Sequence, residues 1–83
     1  MVHFKEHDNA LVGEFKFKDF AEAFAFLTRV AIISEKLNHH AQIENMYNRV
    51  TLTLTTHDAG NTVTDKDHNF AESVENILKR NVV

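Results

Sequence analysis

The sequence predicts an α+β fold: a four-stranded antiparallel sheet with two helices packed on one face, in the order ββαββα. Three patterns lead there. Residues 50–56 alternate Val50, Leu52 and Leu54 with Thr51, Thr53 and Thr55, the period of a strand with one buried face. Two longer stretches, from Asp19 to about residue 37 and from Thr64 to Arg80, carry apolar residues at helical spacing. Each is preceded by a pair of extended stretches separated by turn residues. The doubling is one of architecture, since the two halves share no sequence repeat.

In chain order, residues 2–6 form a first extended stretch, with Val2 and Phe4 on one side. His7-Asp8-Asn9 is a turn cluster. Residues 10–17 follow, with Leu11, Gly13, Phe15 and Phe17 on one parity, and complete a hairpin. Gly13 inside a strand signals a bulge or a close backbone approach. His3 and His7 are expected on the surface.

Asp19 suits the N-cap or first turn of the first helix. Phe20, Ala23, Phe24, Leu27, Val30, Ala31 and Leu37 recur along it, and Phe26 and Ile33 fall on a neighbouring stripe. A helix apolar on more than one face cannot bury all of it against one thin sheet. The second stripe is therefore expected to meet another subunit, the alternative being a wide contact within one chain. The helix should fade over residues 38–41. Residues 42–47 are extended, with Ile43, Asn45 and Tyr47 on one parity, and Asn48-Arg49 reads as a turn or bulge. His57 has the parity of the threonine face if its strand runs that far. Asp58-Ala59-Gly60-Asn61 is a turn. Thr64 is the expected N-cap of the last helix, with Asp65 and Asp67 in its first turn. Its apolar face is Phe70, Ala71, Val74, Ile77 and Leu78, and Lys79 and Arg80 suit its C-terminal end.

Eighty-three residues make a single domain, residues 1–83, with a marginal core and no cysteine to staple it. Oligomerisation is the remaining aid, so a homodimer or homotetramer is expected. A net charge of −3 argues against direct nucleic-acid binding, which needs a basic stripe. No apolar run approaches the roughly 20 residues that span a bilayer, so no membrane association is expected. The opening MVHFKEHDNA lacks the apolar stretch of a signal peptide, and a cytoplasmic location is expected.

Chemistry points to the stretch from Glu35 to His57, which holds three of the six histidines and the one tyrosine. Adjacent His39 and His40 point about 100° apart on a helix and to opposite sides on a strand, so they are poorly placed to chelate one ion. With no cysteine and no HExxH, no metal is expected. General acid–base work fits better, because imidazole can give and take a proton near neutral pH. Glu35 lies four residues before His39, within reach on one helical face, and could orient it. A polar helix end with a solvated Glu35 explains the same residues. Capping alone explains Asp67.

The order Glu35, His39-His40, Tyr47, His57 and Asp67, set in FKFKDFAEAFAFLTRVA and EKLNHHAQIENMYNRVTLTLTTHDAG, resembles the pterin-4a-carbinolamine dehydratases. That family includes the dimerisation cofactor of a hepatocyte nuclear factor. The likeness runs from about Phe15 to Leu78. It departs at Ala41, where the family commonly has proline, and at Ile43, where an aromatic is common; the family's initial helix and a tryptophan near its first strand are also missing. The resemblance implies dehydration of a 4a-hydroxytetrahydropterin to quinonoid dihydropterin, recycling tetrahydropterin after aromatic amino-acid hydroxylation, with no cofactor. It implies His39 and His57 as the acid–base pair, His40 as a binding or orienting group, and Glu35 as support for His39. Asp67 either lines the pocket mouth or simply caps its helix. The alternatives are a non-catalytic interaction or dimerisation module, and a pterin-binding protein without turnover.

Overall fold

The computed structural model describes residues 2–80. Strand β1 (Phe4–His7) turns through Asp8 and Asn9 into β2 (Ala10–Lys16). Both turn residues have positive φ, 49° and 64°, a backbone that Asp and Asn tolerate and that matches strand twist in two-residue hairpins. After α1 (Phe20–Leu37) come β3 (Gln42–Met46), β4 (Arg49–Leu54), a short 3-10 turn (His57–Ala59) and α2 (Asp65–Arg80). The sheet order is β1-β2-β4-β3, antiparallel throughout. This is the expected α+β architecture.

Register decides the buried face. Leu11 lies opposite Leu54, Gly13 opposite Leu52, and Phe15 opposite Val50. These positions are buried with Phe4, and Phe70, Ala71 and Val74 of α2 join them in one core. Gly13 is there for a close approach: a Cβ would sit 2.6 Å from the Phe4 ring. Val2 does not follow Phe4 inward and is exposed.

Helix α1 begins as expected. Asp19 accepts a hydrogen bond from the Glu22 N–H, and the Glu22 carboxylate accepts one from the Lys18 N–H. Its faces are not the expected ones. The buried stripe is Ala23, Phe26, Leu27, Val30 and Ser34, whereas Phe20, Phe24, Ile32 and Leu37 are exposed. Phe26 and Ile33, expected against another subunit, instead belong to this chain's core or pack on it. The cause is aromatic contact. Phe15 and Phe17 of the β2 region each bring a ring centroid to 4.9 Å from Phe26, which turns that side of α1 to the sheet. Phe20 and Phe24 contact one another, 5.5 Å apart, on the outside.

The second hairpin turns at Tyr47-Asn48, one residue earlier than expected, because Met46 pairs with Arg49. Tyr47 takes the positive φ of 52°, an unfavourable place for a bulky side chain. Asn48 is occupied elsewhere: its side chain donates to the Phe17 carbonyl, and its own carbonyl accepts from the Phe17 N–H. Asn45 donates to the Tyr47 and Arg49 carbonyls and braces the turn.

His3 is not free on the surface. Its N–H and its ring Nδ1 meet the two oxygens of Glu75 at 2.8 and 2.7 Å, and the ring stacks on Phe15. This clasp ties the start of β1 to α2. The side chain of Arg80, expected to favour the C-terminal end of α2, lies outside the described residues.

Candidate active site

The end of α1 places the first histidine. Asn38 adopts the left-handed conformation, φ 51°, its N–H bonds to the Glu35 carbonyl, and the His39 N–H bonds to that of Ser34. This is a Schellman closure, with Asn in the position that glycine often fills. It swings the chain off the helix axis immediately before His39. The expected contact of Glu35 with His39 is therefore absent, since their spacing of four residues holds only while the helix continues. Glu35 meets His40 instead, with Oε2 2.9 Å from Nε2, and both side chains are exposed.

His39 turns inward to Asp67. Its Nε2 lies 2.6 Å from Asp67 Oδ1, with 11% of the histidine side chain exposed and none of the aspartate's. The ring stands edge-on to Phe70. Asp67 sits in the first turn of α2, and its Oδ2 accepts from the Thr64 N–H at 2.9 Å. Thr64 holds the expected N-cap position, its carbonyl accepting from the Asp67 and His68 N–H groups, and Asp67 reaches back to the Thr64 N–H as one half of a capping box, while the Thr64 hydroxyl meets Thr56 instead. The same Oδ2 accepts from the Thr56 hydroxyl at 2.7 Å, and Thr56 Oγ1 also meets Thr64 Oγ1. Burial alone would push the Asp67 carboxyl up. Hydrogen bonds from His39, the Thr64 N–H and Thr56, with the charge of His39, more than offset this and hold it below its ordinary 3.8.

His57 opens the 3-10 turn and is not on a strand. Thr56, immediately before it, leaves the sheet through a bridge to Thr62, and its carbonyl accepts from the N–H groups of Ala59 and Asn61. The His57 ring is exposed, with Nδ1 3.0 Å from Asn61 Oδ1. His39 and His57 thus lie at the same end of the sheet, where β4 finishes and β3 begins, joined through Asp67 and Thr56. An open depression of about 400 Å3, lined by Thr56, Asp58, Ala59, Thr64, Asp65 and Lys66, adjoins this network. Tyr47 is at the opposite end of β3, in the hairpin turn.

Thr56, Thr64 and Asn61 were not expected as site residues. Thr56 had a signal: it falls on the parity of Leu52 and Leu54, a polar residue on the core side of its strand. Asn61 had none beyond its place in a turn. Among the described residues, no three or more of His, Cys, Asp and Glu are gathered to hold a metal ion, and no helix is long and apolar enough to cross a membrane.

The sequence profile described as pterin 4 alpha carbinolamine dehydratase matches residues 2–77. The chain belongs to the pterin-4a-carbinolamine dehydratase family. A family relative from Synechococcus sp. (strain WH7803), provisionally named pterin-4-alpha-carbinolamine dehydratase, is 45% identical over 75 residues, 90% of this chain and 80% of that one. A relative with the same provisional name from Rhizobium johnstonii (strain DSM 114642 / LMG 32736 / 3841) is 49% identical over 83% of this chain and 67% of its own length. Among solved structures, a transcriptional coactivator/pterin dehydratase from Brucella melitensis superposes with a TM-score of 0.83 at 42% identity, covering 89% of this chain and 80% of that one. A pterin dehydratase-like protein described as a RuBisCO assembly factor in the alpha-carboxysome gives 0.69 at 26% identity, over 87% and 82% of the two chains. The family therefore includes structures whose described roles differ.

Proposed function

We propose that this protein is a 4a-hydroxytetrahydropterin dehydratase, a hydro-lyase that yields quinonoid dihydropterin and water by histidine general acid–base catalysis. The observation that carries the reading is the convergence on the buried Asp67 carboxylate of His39, at 2.6 Å, and of Thr56, whose carbonyl anchors the turn that bears His57. A buried carboxylate bound to one imidazole nitrogen fixes which nitrogen remains for proton exchange, as an acid–base catalyst requires. The reaction breaks the C4a–O bond while a proton goes to the departing oxygen, and N5 loses its proton as the C=N bond forms. Atoms balance with water as the other product, so two imidazoles suffice.

His39 and His57 are assigned as the acid–base pair, with the order of giving and taking left open. His40, exposed and held by Glu35, binds or orients the pterin. Asp67, rather than Glu35, supports His39. The described fold serves as one dehydratase domain, in a cytoplasmic tetrahydropterin-recycling role. Steady-state assay with a synthetic carbinolamine tests the assignment. His39→Ala and His57→Ala should each lower kcat by about 10²–10⁴ while circular dichroism remains native. Near wild-type turnover in both variants would overturn the mechanism.

A second reading, a non-catalytic interaction module, is favoured by the exposed Phe20, Phe24 and Ile32 on α1 and by the assembly-factor description of one structural neighbour. Under either reading the chain forms at least a dimer through that face. Light scattering of wild type against Phe24→Glu should show the wild type larger; a wild-type monomer at micromolar concentration refutes it. Absence of turnover in a folded oligomer would favour the second reading.

A further inference from the structure

The Asp67 carboxylate is shared among three donors, and counting their protons constrains the histidine. Oδ2 takes the Thr64 N–H and the Thr56 O–H, and Oδ1 faces the His39 ring, its hydrogen-bond partner among the described residues. Thr56 has one hydroxyl proton. Spent on Asp67, it leaves Thr56 Oγ1 an acceptor, so the Thr64 hydroxyl must donate to it. The chain of donors then runs Thr64 to Thr56 to Asp67, and nothing in it returns a proton to the carboxylate. An ionised Asp67 accepts only, so His39 must present a protonated Nε2. Thr56 is itself buried and rigidly anchored, through its N–H on the Thr62 carbonyl and its own carbonyl at the base of the His57 turn.

We propose that Thr56 is a positioning residue: its hydroxyl aims the Asp67 carboxylate at His39 and so holds that imidazole as the Nε2–H tautomer, leaving Nδ1 to exchange the proton with substrate. The final clause rests on the dehydratase reading; the tautomer does not. Thr56 also couples the two histidines mechanically, because one residue fixes both the carboxylate behind His39 and the turn that carries His57.

The test uses the full chain with ¹⁵N-labelled histidine. Long-range ¹H–¹⁵N spectra of the neutral rings distinguish a protonated from a bare nitrogen at each position. Wild-type His39 should show Nε2 protonated and Nδ1 bare. In Thr56→Val, which keeps the shape and removes the hydroxyl, His39 should become a mixture of tautomers. The same variant should lose about 10- to 100-fold in kcat with KM little altered, the scale expected for a misplaced catalytic group. Thr56→Ser should restore both the spectrum and most of kcat. A bare Nε2 in wild type overturns the proposal. So does a folded Thr56→Val with the wild-type tautomer pattern, whatever its kcat, or a Thr56→Ser that behaves like valine. If Thr56→Val does not fold, Thr56→Ala is read by the same criteria. A wild type with the expected tautomer and no turnover would leave the positioning role standing and remove the dehydratase reading alone.

Discussion

Helix α2 carries two buried carboxylates about two turns apart, and each holds a histidine. Asp67 meets His39 at 2.6 Å and Glu75 meets His3 at 2.7 Å. For both, burial pushes the carboxyl up and the hydrogen bonds more than reverse it, leaving each below its ordinary value. By distance and charge the two pairs are nearly alike, although the His3 side chain is 35% exposed against 11% for His39. Their surroundings differ. Both oxygens of Glu75 are taken by one residue, through its ring and its own N–H, and that residue is stacked on Phe15. The pair ties the start of β1 to α2, beside a depression of about 530 Å3 that His3 helps to line. Asp67 takes donors from three different segments, one of which leads into the turn bearing His57 beside an open depression. A short, buried imidazole–carboxylate bond is therefore not the mark of a catalytic site. What marks the site is the convergence of separate segments on the carboxylate.

The largest expected effect separates the two carboxylates. Asp67→Asn can offer an N–H where His39 needs an acceptor, and should lower kcat by about 10²–10⁴, as orienting carboxylates do in other imidazole catalysts. Glu75→Gln should leave kcat within about twofold and instead cost about 1 kcal/mol of stability, because a half-buried donor on His3 loses its acceptor. Urea melts beside steady-state kinetics read both. A folded Glu75→Gln that has lost turnover would break the comparison.

His3→Ala comes next. It removes one hydrogen bond to Glu75 and the stack on Phe15, while the His3 N–H bond remains available. A loss of about 1–2 kcal/mol in denaturant melts is expected, with no effect on KM or kcat. Equal stability of this variant and wild type would remove the structural role of the clasp.

Comparison of these pairs also shows what the sequence could carry. The strand alternation, both helices, the hairpin at Asp8-Asn9 and the close approach at Gly13 are local signals, and each was legible. The burial faces of α1 were not. That helix is apolar nearly all round, so its orientation depends on Phe15 and Phe17, which lie outside it. The histidine pattern pointed to His39, His40 and His57. The partner of His39 is not the one its spacing suggests, because the i, i+4 rule that joins Glu35 to His39 fails where Asn38 ends the helix. Asp67 looked like an ordinary first-turn acid, and Glu75 carried no signal, since a contact spanning 72 positions leaves no periodicity. Thr56 was legible in principle, as a hydroxyl on a core parity.

Acid pH should weaken both pairs. A carboxyl held below its unfolded value contributes stability that is fully present above that value and is lost as pH falls through the folded one. The ordinary values are 3.8 for Asp67 and 4.5 for Glu75, so the contribution is intact at neutral pH and begins to fall near the upper of these. Urea midpoints measured from neutral pH downward should decline there, and less steeply in Asp67→Asn and Glu75→Gln than in wild type. A variant that follows the wild-type profile throughout would show that its carboxyl is not held down by folding.

The smallest effect is expected at an exposed histidine–carboxylate pair, His40 and Glu35. They meet at 2.9 Å, close to the distances of the Asp67 and Glu75 pairs, but 62% and 81% of their side chains are exposed. Water and salt screen such a contact, and holding two mobile side chains in one geometry offsets what remains. Glu35→Gln should therefore leave both the urea midpoint and kcat within about twofold of wild type. His40→Ala should raise KM and spare kcat, since a group that only holds the substrate contributes equally to ground and transition states. Kinetics on the two variants at low and high salt decide it. Should Glu35→Gln reduce kcat as far as Asp67→Asn, exposure would not be what separates these pairs, and the support of His39 would have to be sought on α1 rather than α2.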